Sequence, residues 1–178
     1  MSFALAPILE TDRLILRAPA AEDFEAWATF AADADAMRHI GGAQPRAVAW
    51  RSWCATAGAW AIRGFSFFSV IEKQTGRWVG RLGPWEPEGW PGREVGWALV
   101  RDSWGKGYAT EGAQAVMDWA FDQLDAPEVV AITARSNLRS QAVMRRIGMV
   151  AEPWRDFDHP RLADDHPLRP HVTFSARR

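Results

Sequence analysis

The sequence predicts an α+β fold on two observations. First, two apolar, β-prone runs, Phe65 to Glu72 and Trp78 to Pro84, are joined by Gln74-Thr75-Gly76, which is the pattern of a β-hairpin. Second, apolar residues recur at three- and four-residue steps between Ala109 and Leu124, which is the period of a helix that buries one face. Strand and helix patterns alternate along the chain without linkers or repeats.

The N-terminal part of the chain supplies a strand followed by helices. The run Arg13 to Ala18 predicts the first strand, and Pro19 precedes the first helix. A further short helix is expected from Asp33 to His39. Pro45 is expected to begin a longer helix, because proline is tolerated in a first helical turn. The first and the longer helix carry large aromatic residues: Phe24, Trp27 and Phe30, then Trp50, Trp53 and Trp60.

The C-terminal part of the chain continues the alternation. A loop rich in proline and glycine, Pro84 to Gly92, precedes a strand at Glu94 to Val100, and the β-prone run Glu128 to Ala134 follows the central helix. The tail from Ala151 is expected to supply two last strands, separated by the proline-rich stretch Pro160 to Pro170. Between these parts lies a helix with favourable end residues, Ser136 or Asn137 at its start and Gly148 at its end.

The residues Trp104 to Ala109, Trp-Gly-Lys-Gly-Tyr-Ala, lie between a strand and the central helix and predict an anion site. A glycine-containing turn before a helix leaves backbone N–H groups unpaired at the positive end of the helix dipole, where phosphate oxygens bind. Gly105 and Gly107 let a ligand approach the backbone, because they have no Cβ. The residues fit neither a Walker loop nor a dinucleotide-binding fingerprint. Taken alone, the turn is equally compatible with a structural role.

Composition and charge exclude several classes of protein. A chain of 178 residues is long enough for one domain with its own core, and we expect residues 1 to 178 to form one domain. A formal net charge of -1 gives no basis for long-range attraction to nucleic acid. No apolar stretch reaches the roughly 18 residues of a membrane span, so we expect a cytoplasmic protein. The single cysteine, Cys54, is expected to be buried in a helix rather than to act as a nucleophile.

Four stretches of the chain occur in an order that is specific. Thr11 to Arg17 reads Thr-Asp-Arg-Leu-Ile-Leu-Arg, Glu94 to Trp97 reads Glu-Val-Gly-Trp, and Trp104 to Ala109 is followed by Thr110-Glu111. Asn137-Leu138-Arg139-Ser140 then runs on to Arg146-Ile147-Gly148-Met149. Together these stretches resemble motifs of the GNAT superfamily of acetyl-CoA-dependent N-acetyltransferases, in particular the branch of RimJ/RimL-like ribosomal-protein N-terminal acetyltransferases.

This resemblance implies the GNAT fold, a mixed, mostly antiparallel sheet of about six to seven strands flanked by helices. Its fourth and fifth strands, here Glu94 to Val100 and Glu128 to Ala134, splay apart to bind acetyl-CoA. The resemblance also implies that Trp97, Ala98 and Leu99 offer backbone groups to the pantetheine and the acetyl carbonyl. The amides implied for the pyrophosphate belong to Trp104, Gly105, Lys106, Gly107, Tyr108, Ala109 and Thr110, and Asn137 would hold the pantetheine or the catalytic serine.

The implied reaction is attack of a neutral primary amine on a thioester, which requires a base for the amine proton and an acid for the departing thiolate. Glu94 is the candidate base, and the alternative is a salt-bridged strand residue. Ser140 is the candidate acid, and the alternative is a polar residue on a helix surface. Many members of the superfamily use a tyrosine where this chain has Met144, so that mechanism is excluded. Tyr108, the only tyrosine, is expected to pack in the loop.

The amine acceptor is left open by the sequence, and both a protein N-terminus and a small molecule are compatible with it. Acceptor contacts are expected from the helices within Phe24 to Ala61 and from the tail loop, Pro153 to Pro170. The partners implied are acetyl-CoA and the amine, for a monomer or a homodimer. A catalytically silent acyl-CoA-binding module is the alternative function, and it would not require Glu94 or Ser140. The tail histidines fit no standard zinc spacing, so no metal is expected: His159, His166 and His171.

Overall fold

The computed structural model describes residues 6–160 and 162–178. The helices in these ranges are α1 (Phe24–Ala32), α2 (Ala34–Met37), α3 (Arg46–Arg63), α4 (Tyr108–Gln123) and α5 (Leu138–Arg146). None of these helices is both long and apolar enough to cross a membrane. The strands are β1 (Leu9–Glu10), β2 (Leu14–Arg17), β3 (Phe68–Glu72), β4 (Trp78–Trp85), β5 (Glu94–Leu99), β6 (Glu128–Ala134), β7 (Val150–Ala151), β8 (Phe157–Asp158) and β9 (Pro170–Arg177).

The strands form one mixed sheet. They pair in the order β1-β2-β3-β4-β5-β6-β9-β7, and β8 pairs with β9 as well. The β5–β6 pair is parallel, and the other pairs recorded for the described residues are antiparallel. β1, β7 and β8 have only two residues each. The expected GNAT fold, with a mostly antiparallel sheet flanked by helices, is therefore confirmed, and the strands beyond the expected six to seven are these short pieces.

The two parallel strands in the middle of the sheet separate after their first contact. Glu94 is paired with Val130, and the Val130 N–H donates to the Arg93 carbonyl at 2.9 Å. This is the one residue pairing recorded between β5 and β6, although β5 continues to Leu99 and β6 to Ala134. The strands therefore splay apart towards their C-terminal ends, and the backbone edge of β5 is open along this gap.

Two apolar clusters fix the helices on the sheet. The larger cluster joins α4 and α5 to the central strands, with Val116, Met144 and Leu82 fully or almost fully buried. The second cluster joins α1 and α3 to Trp78 at the start of β4. Close packing of α4 on β4 leaves no room for a side chain at Gly112, where a Cβ would come within 2.7 Å of Leu82. The start of α4 is therefore held firmly beside the open edge of β5.

Three expectations are corrected in detail. β3 begins at Phe68 rather than Phe65, because the Phe67 carbonyl accepts a hydrogen bond from the Trp60 indole instead of entering the ladder. The tail supplies three strand segments, β7, β8 and β9, rather than two. Cys54 is exposed, not buried. The buried face of α3 lies one position away, on Ala49, Trp53, Thr56 and Trp60.

Candidate active site

Two adjoining cavities open at the splayed strands. The first, of about 650 Å³, lies against the end of β5, the residues Trp104 to Gly107 (the glycine loop) and the start of α4, and we call it the helix-side cavity. The second, of about 640 Å³, lies against Glu94 and Gly96 of β5 and the tail, and we call it the tail-side cavity. The residues that line both cavities are Arg38, His39, Ile40, Trp97, Ala98, Asn137 and Ser140.

The glycine loop presents backbone N–H groups to the helix-side cavity. Gly105 and Gly107 have φ angles of 77° and 84°, a left-handed conformation that favours glycine. Gly107 caps α4 without any side-chain cap, and the first helical hydrogen bond runs from the Glu111 N–H to the Gly107 carbonyl at 3.0 Å. The amides of Tyr108, Ala109 and Thr110 precede that bond, so helix geometry gives them no partner. Unpaired amides at the start of a helix can bind an anion, and we call this arrangement the anion site.

Arg13 ties the glycine loop to the first strands. Its guanidinium donates to the Lys106 carbonyl at 2.8 Å and to the Glu111 carboxylate at 2.7 Å. The Lys106 ammonium lies 3.6 Å from Glu72, and Lys106 does not line the helix-side cavity. Every other residue predicted for the pyrophosphate, from Trp104 to Thr110, does line it. The side chain of Lys106 therefore turns away from the anion site.

Tyr108 has a structural setting at the start of α4. Its side chain is buried, and its hydroxyl donates to the Glu72 carboxylate at 2.5 Å. This hydrogen bond, with burial, raises the pKa of Tyr108 above its usual value. A phenol bound in this way is poorly placed to give its proton to a thiolate in the cavity, which agrees with the expectation that it packs in the loop.

The open edge of β5 offers selected backbone groups. The Val100 N–H donates to β4, whereas the Arg93 carbonyl accepts from β6. Because backbone groups alternate sides along a strand, those of Trp97 and Leu99 face the cleft, and those of Ala98 face β4. The Leu99 carbonyl is already bound by the Trp104 indole at 2.8 Å. The Leu99 N–H and both backbone groups of Trp97 are thus the ones available to a bound chain.

Trp104 is the first residue of the glycine loop and connects it to β5 and α5. In addition to its bond to β5, its ring lies 4.9 Å from the Arg139 guanidinium. Arg139 and Arg146 line the helix-side cavity, whereas Arg145 lies over Phe174, outside it. The indole therefore positions one cation beside the anion site, a contribution that the sequence did not reveal.

Ser140 and Asn137 lie where the two cavities meet. Asn137 caps α5, its Oδ1 accepting from the Ser140 N–H at 3.3 Å, and its amide donates to Thr133 of β6 at 2.9 Å. The Ser140 hydroxyl makes no hydrogen bond with any residue that the structure describes. Met144, one turn later, is buried and lines the tail-side cavity. Asn137 thus fixes the turn that presents the Ser140 hydroxyl to both cavities.

Glu94 lies in the tail-side cavity with a neutral partner. The Trp90 indole donates to its Oε2 at 2.8 Å, and no cation lies within ion-pair distance among the described residues. Burial raises the pKa of Glu94 to about 7, an effect that the Trp90 hydrogen bond and the charge of Arg81 only partly oppose. From the sequence, Glu94 was either a base or a salt-bridged strand residue. The structure shows no salt bridge to Glu94 among the described residues. A carboxyl group with this pKa exchanges a proton near neutrality.

Two residues of the cavities were missed by sequence reasoning. Arg81 lines the tail-side cavity from β4, and His39 lines both cavities from the segment after α2. The His39 Nδ1 is buried without a hydrogen-bond partner among the described residues, and burial lowers the pKa of its ring. Arg81 carried one usable signal, since it is the one charged residue in the apolar run Trp78 to Pro84.

Imidazole rings of the tail line the tail-side cavity together with Trp90. The centroids of His159 and His171 are 5.0 Å apart, and that of His159 is 6.2 Å from Trp90. His166 also lines the cavity. No group of three or more histidine, cysteine or acidic residues within 6–160 and 162–178 is arranged to hold a metal ion.

Comparison with known proteins agrees with this geometry. The family model described as Acetyltransferase (GNAT) domain matches residues 13–150. The uncharacterized protein YkkB of Bacillus subtilis is 33% identical over 88 residues, and the match spans 48% of this chain and 51% of that protein, about half its length. The uncharacterized N-acetyltransferase YnaD of Bacillus subtilis is 27% identical over 146 residues, which cover 81% of this chain and 83% of that one.

A solved structure shares the fold over the full chain. The acetyltransferase from Agrobacterium tumefaciens str. C58 superposes with a TM-score of 0.82 at 29% identity, covering 100% of this chain and 98% of that one. Solved ribosomal-protein acetyltransferases also match, at 21% identity or less, a level that shows the fold alone.

Proposed function

The chain belongs to the GNAT acetyltransferase family, and we propose that it transfers the acetyl group of acetyl-CoA directly to a primary amine. One observation carries the proposal. The anion site of the helix-side cavity and the Glu94 carboxyl of the tail-side cavity are separate, yet the cavities share Ser140, Trp97 and Asn137. A cofactor bound from one side and an amine bound from the other would meet at this junction.

The proposed cofactor contacts use backbone groups that helix and sheet hydrogen bonds leave without a partner. The pyrophosphate would bind the amides of the glycine loop and the first turn of α4, with Arg139 and Arg146 as neighbouring cations. The pantetheine would pair with the open edge of β5 through Trp97 and the Leu99 N–H, like an added strand. The same edge would direct a fixed N–H at the acetyl carbonyl and stabilise the oxyanion that forms there. Ala98 would contribute through its side chain rather than its backbone.

The chemical step uses the two groups at the junction. The amine nitrogen attacks the thioester carbonyl carbon, and its proton passes to the Glu94 carboxylate directly or through water. The tetrahedral intermediate then collapses, the C–S bond breaks, and the thiolate of CoA takes a proton from the Ser140 hydroxyl. Ser140 regains a proton from water and Glu94 releases the amine proton to water, so both groups return to their starting states. Because the pKa of Glu94 is raised to about 7, the group is a stronger base than an exposed carboxylate and is still largely ionised above neutrality.

The RimJ/RimL-like branch is supported by the stretches Thr11 to Arg17 and Glu94 to Trp97. The position of Ser140 supports a serine acid in place of the tyrosine acid of other members. Ser140 lies at the shared wall of both cavities, whereas Met144 lines only the tail-side cavity. A hydroxyl at the junction would lie beside both proposed substrates.

The first test measures acetyl-CoA-dependent CoA release with a panel of amines and identifies the acetylated product by mass spectrometry. Binding is tested separately with Gly105→Asp, because an added carboxylate in the anion site repels the pyrophosphate. Calorimetric titration should show at least a roughly 100-fold loss of CoA affinity. Gly105 is preferred to Gly107, where a new side chain would come within 3.3 Å of Arg13.

The matched control is Gly76→Asp in the β3–β4 turn. Gly76 has a φ of 68° and Gly105 one of 77°, and a Cβ at either position meets nothing within 4 Å. Backbone strain is therefore similar in the two variants, and only Gly105→Asp should lose CoA. Ser140→Ala should keep CoA affinity and lose turnover by roughly 10- to 1000-fold. Equal CoA binding in the two glycine variants would refute the anion site, and an unchanged rate in Ser140→Ala would remove its acid role.

A further inference from the structure

We infer that the amine acceptor carries a carboxylate that pairs with Arg81 in the tail-side cavity, so that the substrates are small amino acids rather than simple amines. The inference rests on the proposed function. The inference adds a substrate class and a residue, Arg81, that determines specificity for the acceptor.

Arg81 is held in one orientation by aromatic rings. It lies on β4 opposite Ala98 of β5, and its guanidinium lies 4.3 Å from the ring centroid of Phe67 and 5.1 Å from that of Trp27. Phe67 in turn packs over Gly96, where a Cβ would come within 3.0 Å of its ring. These rings lie against the guanidinium and restrict its orientation, and Arg81 lines the tail-side cavity, where a carboxylate would bind the terminal edge of the group.

The guanidinium has no counter-ion within residues 6–160 and 162–178. Arg81 makes no hydrogen bond and no ion pair with any residue that the structure describes, and its Nε is buried without an acceptor. By contrast, Arg17, which is also partly buried, makes two hydrogen bonds to Asp23 at 2.8 Å. Burial lowers the pKa of Arg81 to about 10, so the group is still a cation at neutral pH. A buried, unpaired cation on a cavity wall is a site that an anion would complete.

The surroundings of Arg81 indicate which anion fits. Glu94 attracts Arg81 through space, but it is not within ion-pair distance, and it is the proposed acceptor of the amine proton. Between Arg81 and Glu94 the cavity is lined by Gly96 and by the ring of Phe67. This ring stacks on Trp85, with the two centroids 5.3 Å apart. The cavity thus has a basic end, an apolar middle and an acidic end. An amino acid carries a carboxylate, an amine and an apolar body, one for each of these three parts.

A cavity of about 640 Å³ has the size of a small-molecule site. The same chemistry can come from a polypeptide whose N-terminal region carries an acidic side chain. Free amino acids are the source to which we commit, because the tail residues Leu162, His166 and Leu168 line the cavity and restrict its volume. The two sources are separated in the experiment.

The experiment compares acceptors that differ only in the carboxylate. Phenylalanine is paired with phenylalaninamide, leucine with leucinamide, and aminohexanoate with its amide. A peptide amide with aspartate as its second residue is paired with the asparagine peptide. For at least one free amino acid, kcat/KM should exceed that of its amide by about 10-fold or more. In Arg81→Met this ratio should fall towards one, while the KM for acetyl-CoA is unchanged.

A binding measurement makes the result independent of turnover. Phenylpropionate and phenylpropionamide, which have no amine, are titrated calorimetrically into the CoA-loaded protein. The carboxylate should bind more tightly than the amide to the parent and to Arg81→Lys, and equally weakly to Arg81→Met. Arg63→Met is the matched control, because Arg63 also lies over an aromatic ring, Phe65, but lines neither cavity. Thermal unfolding and circular dichroism establish that each variant is folded.

The outcomes separate the inference from the proposed function. Amides that equal or exceed their amino acids in every pair, or a carboxylate preference that persists in Arg81→Met, would overturn the inference and leave the acetyltransferase intact. A preference confined to the aspartate peptide would keep the pairing with Arg81 and overturn the choice of free amino acids. Absence of acetyl transfer to every amine, charged or neutral, would overturn the proposed function, and the acceptor with it.

Discussion

Two carboxylates withdrawn from solvent, Glu94 and Glu152, have pKa values that are shifted in opposite directions. The one hydrogen bond that Glu94 accepts from the described part of the chain comes from a neutral indole, that of Trp90 at 2.8 Å. Glu152 is 2% exposed and accepts hydrogen bonds from the guanidinium groups of Arg155 at 2.8 Å and Arg177 at 2.7 Å. Burial raises the pKa of Glu94 to about 7. The arginine hydrogen bonds, that of Arg155 foremost, lower the pKa of Glu152 to about 2.

The difference shows that the partner, and not burial, decides what such a group can do. Loss of solvent disfavours the charged form of both carboxylates, and in Glu152 the hydrogen bonds from two arginines reverse this. Glu152 joins β7, β9 and the start of β6, where Arg155 and Arg177 also bind Glu128. It stays charged and holds strands together. Glu94 has no such cation in contact, so it can exchange a proton in the range where an acetyl transfer must work.

The largest expected effect concerns the rate. Glu94→Gln should lower kcat/KM by roughly 10- to 1000-fold and remove the rise of the rate between about pH 6 and pH 8, because the amide cannot accept the proton. The rise is expected in the parent because the base must be ionised, and the pKa of Glu94 is about 7. The measurement is kcat/KM against pH at saturating acetyl-CoA.

Glu152→Gln is the control for this variant, since it neutralises a buried carboxylate that lines neither cavity. Its pH–rate profile should keep the same midpoint as the parent at temperatures where it is folded. If both variants lost the rise, or neither did, the rise would have to be assigned to another group.

The second effect is on stability, and its sign differs between the two carboxylates. The pKa of Glu152 is lower in the folded protein than its ordinary value of 4.5, so its stabilising contribution is present above pH 4.5 and is lost as pH falls towards 2. The pKa of Glu94 is higher than 4.5, so its ionisation costs stability as pH rises from 4.5 through 7. At pH 8, Glu152→Gln should lower the midpoint of thermal unfolding by roughly 5 to 10 °C.

Under the same conditions Glu94→Gln should raise the midpoint by a few degrees, and at pH 5 it should have little effect. Differential scanning calorimetry of the parent and both variants at the two pH values provides the comparison. If Glu94→Gln destabilised the protein at pH 8, the charged form of Glu94 would have to be stabilised by a partner in the folded protein. That result would contradict the raised pKa.

Much of this arrangement could be read from the sequence because it is local. The glycine loop, the period of α4 and the Asn137 cap depend on neighbours within a few residues, and the structure contains each of them. The exposed position of Cys54 was not predictable in this way. α3 is apolar on more than one side, with Trp50 48% and Ile62 82% exposed, so its sequence does not reveal which face is buried.

The charges of the site depend on contacts between distant segments. Glu94 was recognised as a base candidate, but its pKa depends on the lack of any contacting cation. Arg81 was missed because its isolation results from packing between Phe67 and Trp27, which come from different elements. Periodicity indicates the buried face of an amphipathic helix such as α4. It does not report which buried charges lack a partner, and these carry the acceptor chemistry proposed for this chain.

The smallest expected effect is a shift of the Glu94 titration, and it tests the neutral partner directly. The Trp90 hydrogen bond lowers the pKa of Glu94, so Trp90→Phe, which removes the donor and keeps an aromatic ring, should raise the midpoint of the pH–rate rise by roughly half a unit to one unit. His159→Ala is the control, because it removes a ring that packs beside Trp90 in the same cavity and keeps the indole that donates to Glu94. That variant should raise the KM for the acceptor and leave the midpoint unchanged. A midpoint that falls in Trp90→Phe would mean that the indole favours the protonated form of Glu94, and the contrast with the arginine-bound Glu152 would then rest on burial alone.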